Sequence, residues 1–291
     1  MNIGNYKKSH IKVEDIKANI LSYTVLRIDY KGLLTFDRFI DDFQDYLSEE
    51  GFVAEKDFLS VEDIEVIDVQ ATFYKYVGKE PVVRFIKNNN ATRIIVTRYF
   101  TYIYLDYRTS HKLERNIKIF NDLVTKIRDK NGKFVRFNEV SLKKNNAVII
   151  GTMQKILECF ETRLFNEASF EINRLSKNTK TKLLASKSEN MFMWDEMLFK
   201  IENKISEGFT SLGMNSRKEC YEIVLDIEGS LSFNDLDEQW NSLNEVKPMV
   251  QKINSGIFEI FKLHLSEPFL KDMVKGESNK VLKGLNKNEQ I

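Results

Sequence analysis

Apolar positions along the chain switch between a period of two and a period near 3.6, and the switches mark the elements. Leu26, Ile28 and Tyr30 alternate with Arg27 and Asp29, the pattern of a half-buried strand. Phe36, Phe39, Ile40, Phe43 and Leu47 then follow at spacings of three and four, one stripe of an amphipathic helix. Between them Gly32 can take the positive φ of a tight turn, and Thr35 stands where a hydroxyl accepts from the first free helix N–H groups. Asp37 and Asp41 favour the positive end of that helix. The unit recurs near the other end, with Ile223, Leu225 and Ile227 alternating and Phe233, Leu236, Trp240 and Leu243 striped. Asp29, Gly32, Leu34, Thr35, Phe36 and Phe43 match Asp226, Gly229, Leu231, Ser232, Phe233 and Trp240 without a gap, each pair 197 positions apart. The repeat implies two related halves; two independent strand–helix units that look alike is the alternative.

The remaining pattern fills in each half. Residues 64–76 alternate and are rich in Val, Ile, Thr, Phe and Tyr, so they read as a strand, followed by strands at 81–87 and 92–108 around a polar turn at 87–90. Leu113, Ile117, Phe120, Leu123, Val124 and Ile127 predict a helix over 111–130, closed by Asn131-Gly132 as a left-handed cap. Strands at 133–142 and 147–150 are separated by a polar connection at 143–146. The second half opens with a helix over 152–165. Strands follow at 169–174, 181–186 and 198–209, with Met191-Phe192-Met193-Trp194 as a packed connection. A strand at 219–228 leads to a helix from Phe233, which Pro248 should kink or break near Val246 and Lys247. Its stripe resumes through Val250, Ile253, Ile257, Phe258 and Phe261 to Leu265. The expected fold is therefore α+β: two related two-layer domains, antiparallel sheets with helices on one face, as in a ferredoxin-like or similar split-sheet sandwich. The domains are 1–150 (β-α-β-β-β-α-β) and 151–274 (α-β-β-β-β-α), with a polar, mobile tail at 275–291.

Leu225-Asp226-Ile227, the later Ile257-Phe258 and Phe261, and the closing Leu265-Ser266-Glu267 carry a resemblance. Together with the aromatic strand and helix at 99–127, they resemble a sporadically distributed family of uncharacterised bacterial proteins. After the central helix, Val148-Ile149-Ile150-Gly151 stands where that family has a strand ending in asparagine. The resemblance implies a two-domain α+β fold and a place in bacterial accessory or phage-defence loci. It carries over no catalytic residue.

Charge narrows the partners. Lys and Arg total 44 against 43 Asp and Glu, a formal charge of +1, so no strong overall field gathers nucleic acid or anionic membrane. Cys159 and Cys220 are too few for a disulfide framework and fit a reducing compartment. The N-terminal residues lack the apolar core of a signal peptide, and no segment approaches an uninterrupted membrane span, so a cytoplasmic protein away from membranes is expected.

Reactive chemistry is sparse. There is no Gly-rich phosphate loop and no nucleophile elbow, and His10, His111 and His264 stand without a second ligand at metal spacing. No metal or cofactor is expected. His264 reads as a helix-end residue, and the two cysteines as small hydrophobes inside elements. Asp29 and Asp226 are read as turn hydrogen-bonders; a catalytic role for either requires an enzyme site formed where the halves meet.

One stretch offers a surface. In residues 98–108, Arg98, Phe100, Tyr102, Tyr104, Asp106 and Arg108 fall on one strand face, and Tyr99, Thr101, Ile103, Leu105 and Tyr107 on the other. With helices on the second face, the first presents aromatics flanked by arginines. Three uses are open: packing between the halves, an anchor for a protein partner, or a platform that stacks nucleic-acid bases. The expected function is that of a non-enzymatic binding or assembly protein whose partner is another protein or a second copy. Nucleic-acid binding on the same face is the alternative.

Overall fold

The computed structural model describes residues 10–17, 19–31, 36–60, 79–87, 91–107, 113–131, 135–161, 185–211, 217–233 and 246–276. The fold is mixed, with helices and a largely antiparallel sheet. Among the described residues nine strands pair within two units: in one the neighbours run second, third, fourth, fifth, first and sixth strand of the chain, and in the other sixth, ninth, eighth and seventh. The chain divides into two compact units, one from Tyr23–Lys143 with Ser230–Ile253, the other from Met1–Ser22, Lys144–Gly229 and Asn254–Ile291. Neither unit is a single continuous stretch of chain.

The first unit contains most of β1 (Leu21–Lys31), then α1 (Phe36–Glu49), β2 (Val53–Ser60), β3 (Lys79–Lys87), β4 (Thr92–Val96) and β5 (Phe100–Asp106), then α2 (Leu113–Asn131) and the start of β6 (Arg136–Ile150). The pairs β2–β3, β3–β4, β4–β5 and β5–β1 are antiparallel. Period-two alternation does what it predicts: Leu26, Ile28 and Tyr30 are buried, as are Ile103 and Leu105 opposite them and Ile94 and Val96 beyond. Buried Ile40, Phe43 and Leu47 of α1 and Ile117, Phe120, Leu123 and Ile127 of α2 complete this core, and α2 packs on β5 and on α1. Polar rims join the two helices, where Tyr46 donates to Asp122 at 2.8 Å and Lys130 pairs with Asp42 at 2.7 Å.

Three expectations change here. The strand expected over 92–108 is two strands, because Thr97 makes a turn without Gly, Pro or Asn. Its Oγ1 accepts from the N–H groups of Tyr99 (3.1 Å) and Phe100 (3.0 Å), while its own N–H donates to the Phe100 carbonyl (2.9 Å). Strand β2, which the alternation did not mark, follows Gly51, whose φ of +83° ends α1. The polar run 143–146 is the interior of β6 and no connection. Asn145 donates to Asp226, and Asn146 donates to the Leu225 carbonyl at 3.1 Å, so these buried amides are satisfied inside the sheet. The strand expected at 64–76, Gly32 and Gly132 lie outside the described residues.

The second unit holds α3 (Met153–Cys159), β7 (Ala185–Trp194), β8 (Met197–Ser211), most of β9 (Arg217–Ser232), the larger part of α4 (Lys247–His264) and α5 (Glu267–Lys275). Thr152 caps α3, its hydroxyl accepting from the Lys155 N–H at 3.3 Å. β7 and β8 are an antiparallel hairpin turning at Asp195 and Glu196, both with positive φ. Met191-Phe192-Met193-Trp194, expected as a connection, is therefore the end of β7: Phe192 and Trp194 pack on Phe199, and Met191 and Met193 are exposed. Pro248 does not kink a running helix; it is the second residue of α4, where its missing N–H costs nothing. In the first unit, Asn121 of α2 accepts from the N–H groups of Val246 (2.8 Å) and Lys247 (3.4 Å) at that helix start. Phe233, where a helix is expected to begin, is not helical and donates its N–H to the Asn138 carbonyl at 2.8 Å; residues 234–245, the strands expected at 169–174 and most of 181–186, and the tail from 277 lie outside the described residues.

In the repeated segments, Leu26, Ile28 and Tyr30 are buried, and so are Ile223, Leu225 and Ile227. Their aspartates differ in partner. Asp29 is held by Arg27, whereas Asp226 accepts from Asn145 in the middle of β9, a strand that runs through Gly229 to Ser232 and does not turn there.

Candidate interaction face on the antiparallel sheet

Strand register in the first unit builds a surface that no single strand contains. Cα partners share a sheet face, so two rows cross the strands opposite the helix-covered side. One runs Glu55, Arg84, Ile95, Tyr102, Arg27 from β2 to β1. The next runs Val53, Ile86, Arg93, Tyr104, Val25. Phe100 lies beyond Tyr102 on the same face, opposite Asp29.

The side chains interlock. The Arg27 guanidinium lies 4.5 Å from the Phe100 ring centroid and makes a forked pair with Asp29, at 2.7 Å from Nη2 and 3.0 Å from Nε. Arg93 lies 4.2 Å over the Tyr104 ring, and Tyr23 contacts that ring at 5.3 Å. Phe100 and Tyr102 stack at 6.0 Å, with Val82 and Ile95 buried beside them as a small apolar cluster. Burial pushes the Tyr102 phenol up from its ordinary range, with Arg93, Arg84 and Arg27 pulling it back electrostatically. The phenol is therefore a neutral hydrogen-bond donor with three guanidinium groups around it. Arg93 Nε is buried with no hydrogen-bond partner among the described residues, so this face carries donor capacity that the fold leaves unused.

The residues expected from residues 98–108 divide. Tyr102 and Tyr104 are half-buried on this face, and Phe100 is buried beneath Arg27. Arg98 is displaced from it, because it stands exposed in the Thr97 turn between β4 and β5. Arg108 lies outside the described residues. Sequence reasoning missed Arg27, Arg84, Arg93 and Tyr23. Each sits at a polar position of its own alternating strand, a signal that was present, but only pairing shows that these strands are neighbours.

Among the described residues no cluster of His, Cys, Asp and Glu could hold a metal ion, and no helix is long and apolar enough to cross a membrane. His264 is buried at the end of α4, with Nδ1 at 2.9 Å from the Ile260 carbonyl and Nε2 facing Asn203 at 3.5 Å. Cys159 is buried and free, its thiol pushed up to about 11 chiefly by burial, which removes thiolate reactivity near neutral pH.

Neither protein-family models nor curated proteins match this chain.

Proposed function

We propose that this chain is a non-enzymatic binding or assembly protein that captures another protein on the β3-β4-β5-β1 face. The observation that carries the reading is the gathering of Arg27, Arg84 and Arg93 around Tyr102. Arginine and tyrosine are the residues that dominate binding energy at protein interfaces, because each joins a large apolar surface to directed donors. Opposite this face the sheet is occupied by α1 and α2, which leaves these rows as the surface through which the unit meets a partner. A partner segment bearing carboxylates fits best, since the Arg93 guanidinium, whose Nε has no hydrogen-bond partner among the described residues, can take a carboxylate in a forked geometry.

The experiment is capture from the protein's own cell extract with the wild-type chain and with Tyr102→Ala/Tyr104→Ala. The double variant loses the partner while keeping its far-UV circular dichroism and a cooperative melt. Retention of the same partner by a folded double variant sinks the reading. Nucleic-acid binding on this face is the second reading, favoured by the guanidinium-over-ring pairs, which also stack bases.

The two strand–helix units are, on this proposal, copies of one ancestral element. The shared burial of Leu26, Ile28 and Tyr30 and of Ile223, Leu225 and Ile227 supports this, and the position of β1 between β5 and β6 supports a split-sheet, ferredoxin-like description of the first unit. Its resemblance to a family of bacterial proteins in accessory or phage-defence loci makes such a system, in the cytoplasm, the setting we propose.

A further inference from the structure

The second unit holds a cavity of about 70 Å3 between the N-terminal strap, β6 and α4, lined by Asn19, Lys144, Asn146, Ile257, Phe258 and Phe261 among others. Lys144 is the unusual member. It is 9% exposed, and it makes no hydrogen bond or ion pair with any described residue. An ammonium withdrawn from water without a partner is strongly unfavourable. The other lysine beside this cavity shows the ordinary solution: Lys262, 8% exposed, pairs with Glu259 at 2.7 Å and donates to the Ile11 carbonyl at 3.1 Å. Lys144 has neither. Burial alone pushes its pKa down to about 8, with no neighbouring charge or hydrogen bond contributing.

The rest of the lining states what is missing. Asn19 Oδ1 already accepts from the Leu21 N–H at 3.0 Å, so what that side chain has left is its pair of amide N–H donors. Asn146 has spent a donor on the Leu225 carbonyl at 3.1 Å. Ile257, Phe258 and Phe261 of α4 supply apolar wall. A cation and an amide donor thus line a small, partly apolar chamber with no anion among the described residues lining it. We propose that this cavity is a binding site for a short-chain carboxylate, its oxygens on Lys144 and Asn19 and its alkyl chain against Ile257, Phe258 and Phe261. Size bounds the chain: a cavity of roughly 150 Å3 accepts benzene with its six heavy atoms, so this one, at less than half that volume, takes an acid of about two carbons or fewer.

The test is calorimetric titration of the full chain at neutral pH with acetate, ethanol and ethylamine, repeated on Lys144→Met. Acetate saturates the wild-type protein, binds at least about tenfold more tightly than either neutral or cationic analogue, and loses that preference in Lys144→Met. Absence of saturable acetate binding up to about 50 mM overturns the proposal and leaves a water-filled cavity. Equal binding of ethanol overturns it too, as does unchanged acetate affinity in a folded Lys144→Met protein. Should Lys144→Met not fold, the wild-type comparison of acetate with ethanol decides alone. This site shares no residue with the sheet face, so either proposal can fail without the other.

Discussion

His264 illustrates how much a single residue's meaning depends on where it is buried. It is 3% exposed, and burial pushes its pKa down to about 4 against the modest upward pull of the Ile260 carbonyl. The folded protein therefore holds a neutral imidazole while the unfolded chain titrates near 6.5, so the unfolded state binds the extra proton as pH falls. That group's stabilising neutrality is complete above pH 6.5 and is lost progressively down to about pH 4, at a cost of about 3 kcal/mol. Urea unfolding at pH 7 and pH 4.5 should show a stability loss in the wild type that shrinks by about 2 kcal/mol in His264→Gln, the rest of the loss falling below pH 4.5. Equal acid losses in both proteins refute the assignment. The sequence placed His264 correctly at a helix end, since its distance from Ile257 and Phe261 is legible in the stripe. Its partner Asn203 was not legible, because it comes from β8 and no local pattern connects the two.

At the level of elements, the contact of α4 with β8 turns on Gly256. A methyl group placed there would stand 2.5 Å from Cζ of Phe199, a fully buried ring already packed by Phe192 and Trp194. Alanine is the better helix former by about 1 kcal/mol, yet overpacking a filled core typically costs about 1–3 kcal/mol. Gly256→Ala should therefore lower the free energy of unfolding, and Gly256→Ala/Phe199→Leu should recover part of it, as measured by urea denaturation. A stabilised single variant would show that the ring moves aside freely. The stripe through Val250, Ile253 and Ile257 announced this helix and its buried side, whereas its true start at Lys247 was hidden by the rule that proline breaks helices. That rule reverses in the first turn, and only the structure says which turn Pro248 occupies. The Thr97 turn was missed for a related reason. A threonine inside an alternating run of β-branched and aromatic residues reads as strand, and its competing hydroxyl bonds to Tyr99 and Phe100 become visible only when the chain has already reversed.

Taken as a whole, the molecule is nearly neutral, and the arginines of the sheet face act as a local concentration of charge rather than as part of a basic surface. That distinguishes the two partner classes by salt. If the face binds single-stranded nucleic acid through Arg27, Arg84 and Arg93, three phosphate contacts predict a roughly twentyfold loss of affinity between 50 and 200 mM salt. Capture of a protein by forked, partly desolvated pairs should weaken only a few-fold over the same range. Measuring the affinity of the captured partner at both salt concentrations checks this, and a loss of twentyfold or more would transfer the proposal to nucleic acid.

Alternation and helical stripes, read along the chain, were sufficient to determine that this is an α+β protein, which faces of β1, β5, α1 and α2 are buried, and that Tyr102 and Tyr104 share the opposite face. These are consequences of backbone geometry, which repeats every two or 3.6 residues and is therefore written locally. Which strands lie side by side, and in what register, is a matter of hydrogen bonds between residues far apart in sequence. Only the tertiary structure decided that Arg84, Ile95, Tyr102 and Arg27 form one row, that Arg98 falls outside it, and that Lys144 lies buried within a continuous strand beside a cavity. A polar residue's neighbours across a sheet leave no trace in its own segment, and both candidate sites of this protein are made of such neighbours.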